Sequence, residues 1–367
     1  MTIPPKELTI NSLMLSSTLY LAKITPYSPV YIISTVCIIF ASIWTFKNTR
    51  FNLPTDARLA GVWLLYILIT QIDNFSGEFI NISIGLAGYI TVRLMKINSI
   101  EKLANIYSNA FKFNVLILGT DSIYRISNPT APTNEHLEVI SQNEDLLIYL
   151  YKFNTLMFAD SNTVALITLI FLFTLYVINK DIKVKISINS LWVWAMIGIL
   201  FSTLSRAAIF SAIVAYFICT LGLKVSKRIQ LMAILFLLWA LFAIISLSEI
   251  KISDGSFNSK IDILSIFFDR FFKDYDVNSI IFGVGFNEYE KILGMSTHIL
   301  IISILSSTGI LGLMISFIFF TYYSIKYSFN ILLPVAIASL SYFLYIGTPF
   351  LFIPMALIAS LADTKKH

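Results

Sequence analysis

Charge is scarce in this sequence. Asp, Glu, Lys and Arg make up 13% of its 367 residues, and hydrophobic types make up 57%. A soluble globular domain carries about 25% charged residues, so that class is excluded. Cysteine is nearly absent as well. Cys37 and Cys219 both fall inside apolar runs, which excludes a disulfide framework and leaves two free thiols. Three dispersed His and two Cys in apolar runs give no metal cluster. The N-terminus lacks a basic n-region and a small-residue cleavage site, so no cleaved signal peptide is expected. There is no internal repeat, no low-complexity tail and no soluble catalytic domain. Any chemistry therefore falls to the apolar core and its loops.

What is present is grease, with a mean hydropathy of +0.80. Apolar runs of about 20 residues, long enough to cross a hydrocarbon core, recur along the whole chain. They are continuous rather than alternating, which excludes a barrel. The expected fold is all-α: a single polytopic membrane domain of about twelve helices. The spans are 9–23, 28–46, 58–73, 77–95, 103–120, 162–178, 188–204, 207–223, 229–248, 298–321, 330–345 and 347–362. The first is short and rich in Ser and Thr; the fifth contains Lys112. Lys112 either pairs with an acid or marks a run drawn wrongly.

The net charge of +5 matters less than where the charges sit. With the N-terminus inside, the inner loops hold 16 basic residues against five acids. The remainder of the chain holds 10 against 16. Every short inner loop then obeys the positive-inside rule. An even number of spans keeps that agreement, so both termini are expected on the cytoplasmic side. Two long loops, about 120–161 and 249–297, face outward. The first contains the turn-rich run Asn128, Pro129, Thr130, Ala131 and Pro132. Within the second, residues 261–272 read as an amphipathic helix on the membrane interface. There Ile263, Leu264, Phe267, Phe268, Phe271 and Phe272 lie opposite Asp262, Ser265 and Asp269.

The candidate site residues lie at the outer ends of the spans. Arg206 sits between two apolar runs with almost no loop. Its planar fork suits a phosphate, and the bland alternative is snorkelling to headgroups. Arg270, on the amphipathic piece beside Asp269, either binds a second phosphate oxygen or completes an ordinary polar face. His298 opens a span, where a neutral imidazole can accept a proton from an attacking hydroxyl or simply end a loop. His136 reads as loop surface. Asp160 and Asn162 open the sixth span, binding an acceptor sugar or capping that helix. Gly283 and Gly285 make a tight turn. No strand–helix unit surrounds them, so they are not a dinucleotide fingerprint. Gly309 and Gly312 would let another helix pack closely.

In this order, Asp160-Ser161-Asn162, Leu204-Ser205-Arg206, Arg270, Gly283-Val284-Gly285, His298 and Gly309-Ile310-Leu311-Gly312-Leu313 resemble the O-antigen ligase/polymerase superfamily. The likeness covers residues 155–320 by motif and the whole chain by span count. It implies a GT-C-like membrane glycosyltransferase with no cofactor and no metal. The donor would be an oligosaccharide on undecaprenyl diphosphate, already flipped to the outer face of a bacterial inner membrane. Arg206 and Arg270 would neutralise the departing diphosphate, and His298 would orient or deprotonate the acceptor, with Asp160 in reserve. Asn162, Gly283 and Gly285 would line the substrate. The partners implied are a flippase and a chain-length regulator of the same pathway, with no nucleic acid. Two departures bear on the subclass. Ile299 stands where ligases carry a polar residue, and neither Arg206 nor Arg270 has the Arg-x10-Gly spacing described for polymerases. A polysaccharide polymerase is the preferred reading. An O-antigen ligase is the first alternative, and a lipid-linked oligosaccharide flippase or transporter the second. Against the flippase, polar residues gather at span ends and outer loops rather than deep within several spans.

Overall fold

The computed structural model describes residues 4–21, 23–48, 53–73, 75–130, 150–158, 160–221, 264–267, 269–271, 273, 275–286, 288–294, 299–339 and 348–366. Among these residues every regular element is a helix. They are α1 (Pro5–Ser16), α2 (Pro29–Asn48), α3 (Thr55–Gln71), α4 (Gly77–Leu94), α5 (Ile100–Ser127), α6 (Ser161–Lys180), α7 (Ser190–Ser202), α8 (Arg206–Thr220), α9 (Val277–Phe282), α10 (Glu288–Leu293), α11 (Leu300–Lys326), α12 (Leu332–Ala338) and α13 (Pro349–Lys366). Several starts are written in the sequence. Ser76, Ser99, Asp160, Asn189 and Asp276 each accept a backbone N–H from the first turn that follows. The expected ninth span, 229–248, lies outside the described residues.

The bundle is built around α13. From Pro349 to Leu361 every residue of this helix is buried. It packs against α4 most extensively, then α6 and α5. At Gly88 the contact is close enough that an added Cβ would meet Ile353 at 3.3 Å. Aromatic rings from four helices fill the centre of this packing. Trp63 of α3, Tyr89 of α4, Phe319 of α11 and Phe352 of α13 lie with centroids 5.3 to 6.2 Å apart.

Other helices keep an apolar face uncovered. Ile32, Val36, Ile39 and Ile43 form an exposed stripe along α2; Val62, Leu65 and Ile69 do so on α3, and Phe210, Ile213 and Phe217 on α8. Among the described residues two helices, Ser161–Lys180 and Leu300–Lys326, are long and apolar enough to cross a membrane.

Polar contacts gather at the two ends of the bundle. At one end the carboxylate of Asp56, fully buried, accepts from Arg93 Nε at 2.7 Å, Tyr89 at 2.7 Å and Tyr327 at 2.8 Å. Arg93 also donates to Asp363 and Ser360. Glu7 pairs with Lys102, and Asp181 accepts from Ser328 and Asn330. At the other end Tyr20 donates to Asn81 and Lys23 to Asn154.

Three expectations change. The first span is a helix of only 12 residues, about 18 Å long. The chain still runs from the Glu7 end to the Lys23 end, because an irregular stretch follows α1. Ser16, Ser17 and Thr18 are buried there, and the Ser16 and Ser17 hydroxyls donate back to α1 carbonyls. The first long loop begins after Ser127 rather than at 120, since α5 continues for two further turns. Polarity ended the run on paper, but Asp121 and Arg125 are buried by neighbouring chain and do not stop the helix. Finally, part of the 261–272 piece is helical, and the described residues of its apolar face pack on protein. Leu264, Phe267 and Phe271 bury against Tyr275, Tyr289, Ile299 and Ile302.

Candidate functional site

Arg206 is the first residue of α8 and is exposed. It is held there by a turn of three residues after α7. Within it Leu204 adopts a φ of 56°, the left-handed region, which costs a non-glycine residue about 1–2 kcal/mol. Neighbouring groups hold the turn in that shape. Ser161 Oγ donates to Thr203 O at 2.6 Å, Thr203 Oγ1 donates to Leu200 O at 2.6 Å, and the Arg125 guanidinium donates to Ser202 O.

Arg125 and Ser161 also tie in the loop before α6. Arg125 also donates to Tyr151 O, and Ser161 N donates to Lys152 O at 2.9 Å. Leu156 N donates to the Asp121 carboxylate at 2.6 Å. Residues 150–158 are thus laced to α5, α6 and the α7–α8 turn. Lys152, half-buried, lies within electrostatic reach of Arg206, Asp160 and Arg125. Burial first, and then the Arg206 charge, hold its ammonium below the usual lysine range; Asp160 pulls the other way. Asp160 is the N-cap of α6, accepting from Asn162 N at 3.0 Å and from Asn162 Nδ2 at 2.9 Å. Ser161, between Asp160 and Asn162, thus ties the start of α6 to the turn that leads to Arg206.

The glycine turn lies elsewhere at the same end of the bundle. Helix α9 starts on Asp276, whose carboxyl is held below its usual range by hydrogen bonds from Ser279. It ends at Gly283, with φ 82°, followed by Gly285, with φ 100°. This turn crosses α11 where that helix breaks at Gly309, with φ 67° and ψ −174°. The break exposes carbonyls that the turn and α3 then satisfy. Val284 N donates to Ser306 O at 2.9 Å and Gly285 N to Ser307 O at 3.1 Å. Gln71 Nε2 donates to Ser307 O at 3.0 Å and Tyr66 to Thr308 O at 2.6 Å. Gly309 therefore admits a loop rather than a helix. At Gly312 a Cβ would meet its own helix at Thr308 and, at 3.0 Å, Tyr66 of α3, the close helix approach expected there.

Arg270 is exposed on the helical piece that covers the start of α11, and its guanidinium borders Gly294. The neighbouring Asp269 pairs with Lys273. His298 and His136 lie outside the described residues. Ile299 is buried in the cluster under Phe267 and Phe271. Among the described residues no group of three or more His, Cys, Asp or Glu is placed to hold a metal ion. Sequence reasoning passed over Arg125, Asp121 and Lys152. The signal for the first two was an acid and a base at i, i+4 directly after an apolar run.

Comparison of the chain with protein-family models, with curated proteins and with solved structures finds no match.

Proposed function

We propose that this protein is a polytopic membrane glycosyltransferase that polymerises surface polysaccharide from an undecaprenyl-diphosphate-linked donor. The observation that carries the reading is the arrangement around Arg206: an exposed guanidinium on a braced turn, which Ser161, between Asp160 and Asn162, ties to the start of α6. A further argument comes from sidedness. Asp56, Arg93, Lys326 and Asp363, all assigned inside by charge counting, meet at one end of the bundle. Arg206, Asp160 and Gly283 belong to the opposite end, which that counting assigns to the outer face. The uncovered apolar stripes on α2, α3 and α8 favour lipid as their neighbour.

In such a transfer an acceptor hydroxyl attacks the anomeric carbon of the donor. The bond from that carbon to the diphosphate oxygen breaks, and the diphosphate leaves with its lipid. Negative charge grows on the leaving group, where a fixed guanidinium stabilises it more than it stabilises the ground state. Arg206 takes that role, and Asp160, next to Ser161, is a candidate to receive the hydroxyl proton. Arg270 and His298 enter from the sequence reading, as a second cation and as the base. The polymerase is preferred over the ligase because Ile299 departs from the ligase pattern.

The test is a gel of surface polysaccharide from a deletion strain carrying wild-type protein, Arg206→Ala or no protein. A single repeat unit on its anchor in the latter two, with a ladder restored by wild type, is the expected result. Finished polymer stranded on the lipid diphosphate points to the ligase instead. An unchanged ladder in the deletion removes both.

A further inference from the structure

We infer that the outer edge of the bilayer's hydrocarbon meets this protein where the Gly283 turn crosses α11 at Gly309. Residues 300–308 and the elements packed on them then form a cap that stands in water above the membrane. Ile72, Phe75 and Phe282 seat in the outer leaflet. Helix lengths set the level. α11 has 27 residues and is about 40 Å long, whereas a hydrocarbon core is about 30 Å thick, so about 10 Å is surplus. α6 has 20 residues and is about 30 Å long, so it crosses with nothing to spare. The inner ends of these two helices are level. Asp181, the C-cap of α6, accepts from Ser328 Oγ at 2.6 Å, just beyond the end of α11 at Lys326. A stretch the length of α6, measured back from Lys326, ends at Ser307. The tenth crossing is then 307–326 rather than 298–321.

Tilt alone can absorb such a surplus, but three further marks fall at the same height. Exposure changes there. No residue from Leu300 to Gly309 is exposed, whereas Ile310, Leu311, Met314, Phe317 and Ile325 are. Neighbouring helices end there. α3 runs outward from Asp56 and stops at Gln71, whose Nε2 donates to Ser307 O at 3.0 Å; α4 returns from Gly77, and its Glu78 accepts from Tyr289 of α10 at 3.4 Å. Apolar packing divides there too. Above the break, Phe267, Phe271, Tyr289, Ile299 and Ile302 form a cluster of their own, apart from the core of the bundle. The rupture at Gly309 suits such an edge. Protein donors take up the carbonyls of Ser306, Ser307 and Thr308, which hydrocarbon could not do. Half-buried Tyr66, whose hydroxyl donates to Thr308 O at 2.6 Å and lies 3.4 Å from Phe282 O, stands where interfacial tyrosines gather. Lipid is the occupant of the exposed rim because Ile72 prolongs the uncovered stripe of α3 at helical spacing. The chemistry proposed above plays no part in this placement. The turn before Arg206 shares the level, since Ser161, at the outer end of α6, donates to Thr203 O at 2.6 Å.

The experiment measures depth by spin labelling of the full chain in nanodiscs. Single cysteines replace Ile310, Met314, Phe317 and Ile325 on α11, Phe282 on α9 and Lys291 on α10, all of them exposed. Cys37 and Cys219 are buried and are changed to Ala only if wild type takes up label. Relaxation by molecular oxygen, which concentrates in hydrocarbon, is compared with relaxation by a water-soluble nickel chelate. A crossing over 307–326 has its midpoint beside Phe317; one over 298–321 has it at Ile310, about 10 Å away. The oxygen-to-nickel ratio should therefore peak at Phe317 and fall toward both Ile310 and Ile325. It should be intermediate at Phe282 and lowest at Lys291. Melting temperatures show which variants are folded, and Ile318, also exposed, stands in for Phe317 if that variant is not. A peak at Ile310 or Phe282 submerges the cap and overturns this edge. A flat profile overturns it as well, because no lipid then covers this face. The polysaccharide ladder of a deletion strain reads the glycosyltransferase separately, so either conclusion can fail without the other.

Discussion

Gly283 and Gly309 are reciprocal. A Cβ on Gly283 would stand 2.3 Å from Ser307 O and 2.5 Å from Thr308 N; a Cβ on Gly309 would stand 2.3 Å from Ile281 O and 2.5 Å from Gly283 N. Each glycine leaves space for the backbone of the segment that carries the other, and both have positive φ. The turn after α9 and the break in α11 are therefore one feature, and neither geometry survives without the other.

Alanine at either position should be severe, because the obstacle is backbone and cannot swing aside. Strain at positive φ and overpacking together cost at least about 2–3 kcal/mol. Gly283→Ala and Gly309→Ala are expected to lower both the yield of monodisperse protein and its melting temperature in detergent. Gly61→Ala is the control. Gly61 lies mid-helix with nothing within 4 Å of an added Cβ, so the change should be neutral or slightly stabilising. Equal melting temperatures for Gly283→Ala and Gly61→Ala would contradict the crossing.

The left-handed residue at Leu204 makes a second prediction. Asn and Gly accept that conformation readily, and a β-branched residue does not. Leu204→Gly should melt within about 1 kcal/mol of wild type, since relief of strain offsets lost packing and a floppier unfolded chain. Leu204→Val should lose about 1–3 kcal/mol. Polymer yield separates the two effects, because the glycine variant frees the turn that places Arg206. A fall in yield without a fall in stability is the expected pattern.

At the opposite end, Asp56 is fully buried and Arg93 is 4% exposed. Removing one member of such a pair strands the other charge, at a cost of about 3–5 kcal/mol. Asp56→Asn and Arg93→Met should each be strongly destabilising. The double variant should recover part of the loss, since it leaves no unpaired charge. Asp363 complicates the cycle, because it also accepts from Arg93 and will stay behind in the Arg93 variant. A double-mutant cycle of denaturation in detergent, read with and without Asp363→Asn, gives the coupling. Strict additivity would mean that the four helix ends are not joined through these charges.

This end of the bundle was legible as sidedness but not as a network. Counting Lys and Arg grouped Asp56, Arg93, Lys326 and Asp363, while nothing in their spacing said that they touch, since they lie on four different helices. The helix starts at Ser76, Ser99 and Asp160 could be read because capping is a local matter. The end of α5 could not. Hydropathy stops at Gly119, whereas Asp121 and Arg125 continue the helix by burying their polar groups against residues 151 and 156 and the α7–α8 turn. The break at Gly309 was likewise invisible, because an apolar run with two glycines reads as a packed helix. Its rupture depends on a turn 26 residues earlier in the chain. Arg206 and Asp160 were found by residue type, and Lys152 was missed because only the fold brings it within electrostatic reach of them.

Lys152 gives the prediction with the clearest sign. Burial and Arg206 hold its ammonium below the ordinary 10.5. As pH rises through that lowered value, folded protein sheds a proton that unfolded protein keeps until 10.5. Stability attributable to this group therefore rises with pH across that window. Lys152→Arg, which carries a permanent cation, should lose that dependence. Denaturation midpoints in detergent, measured for the two proteins across that window, check it. The same rise with pH in both would detach the effect from Lys152.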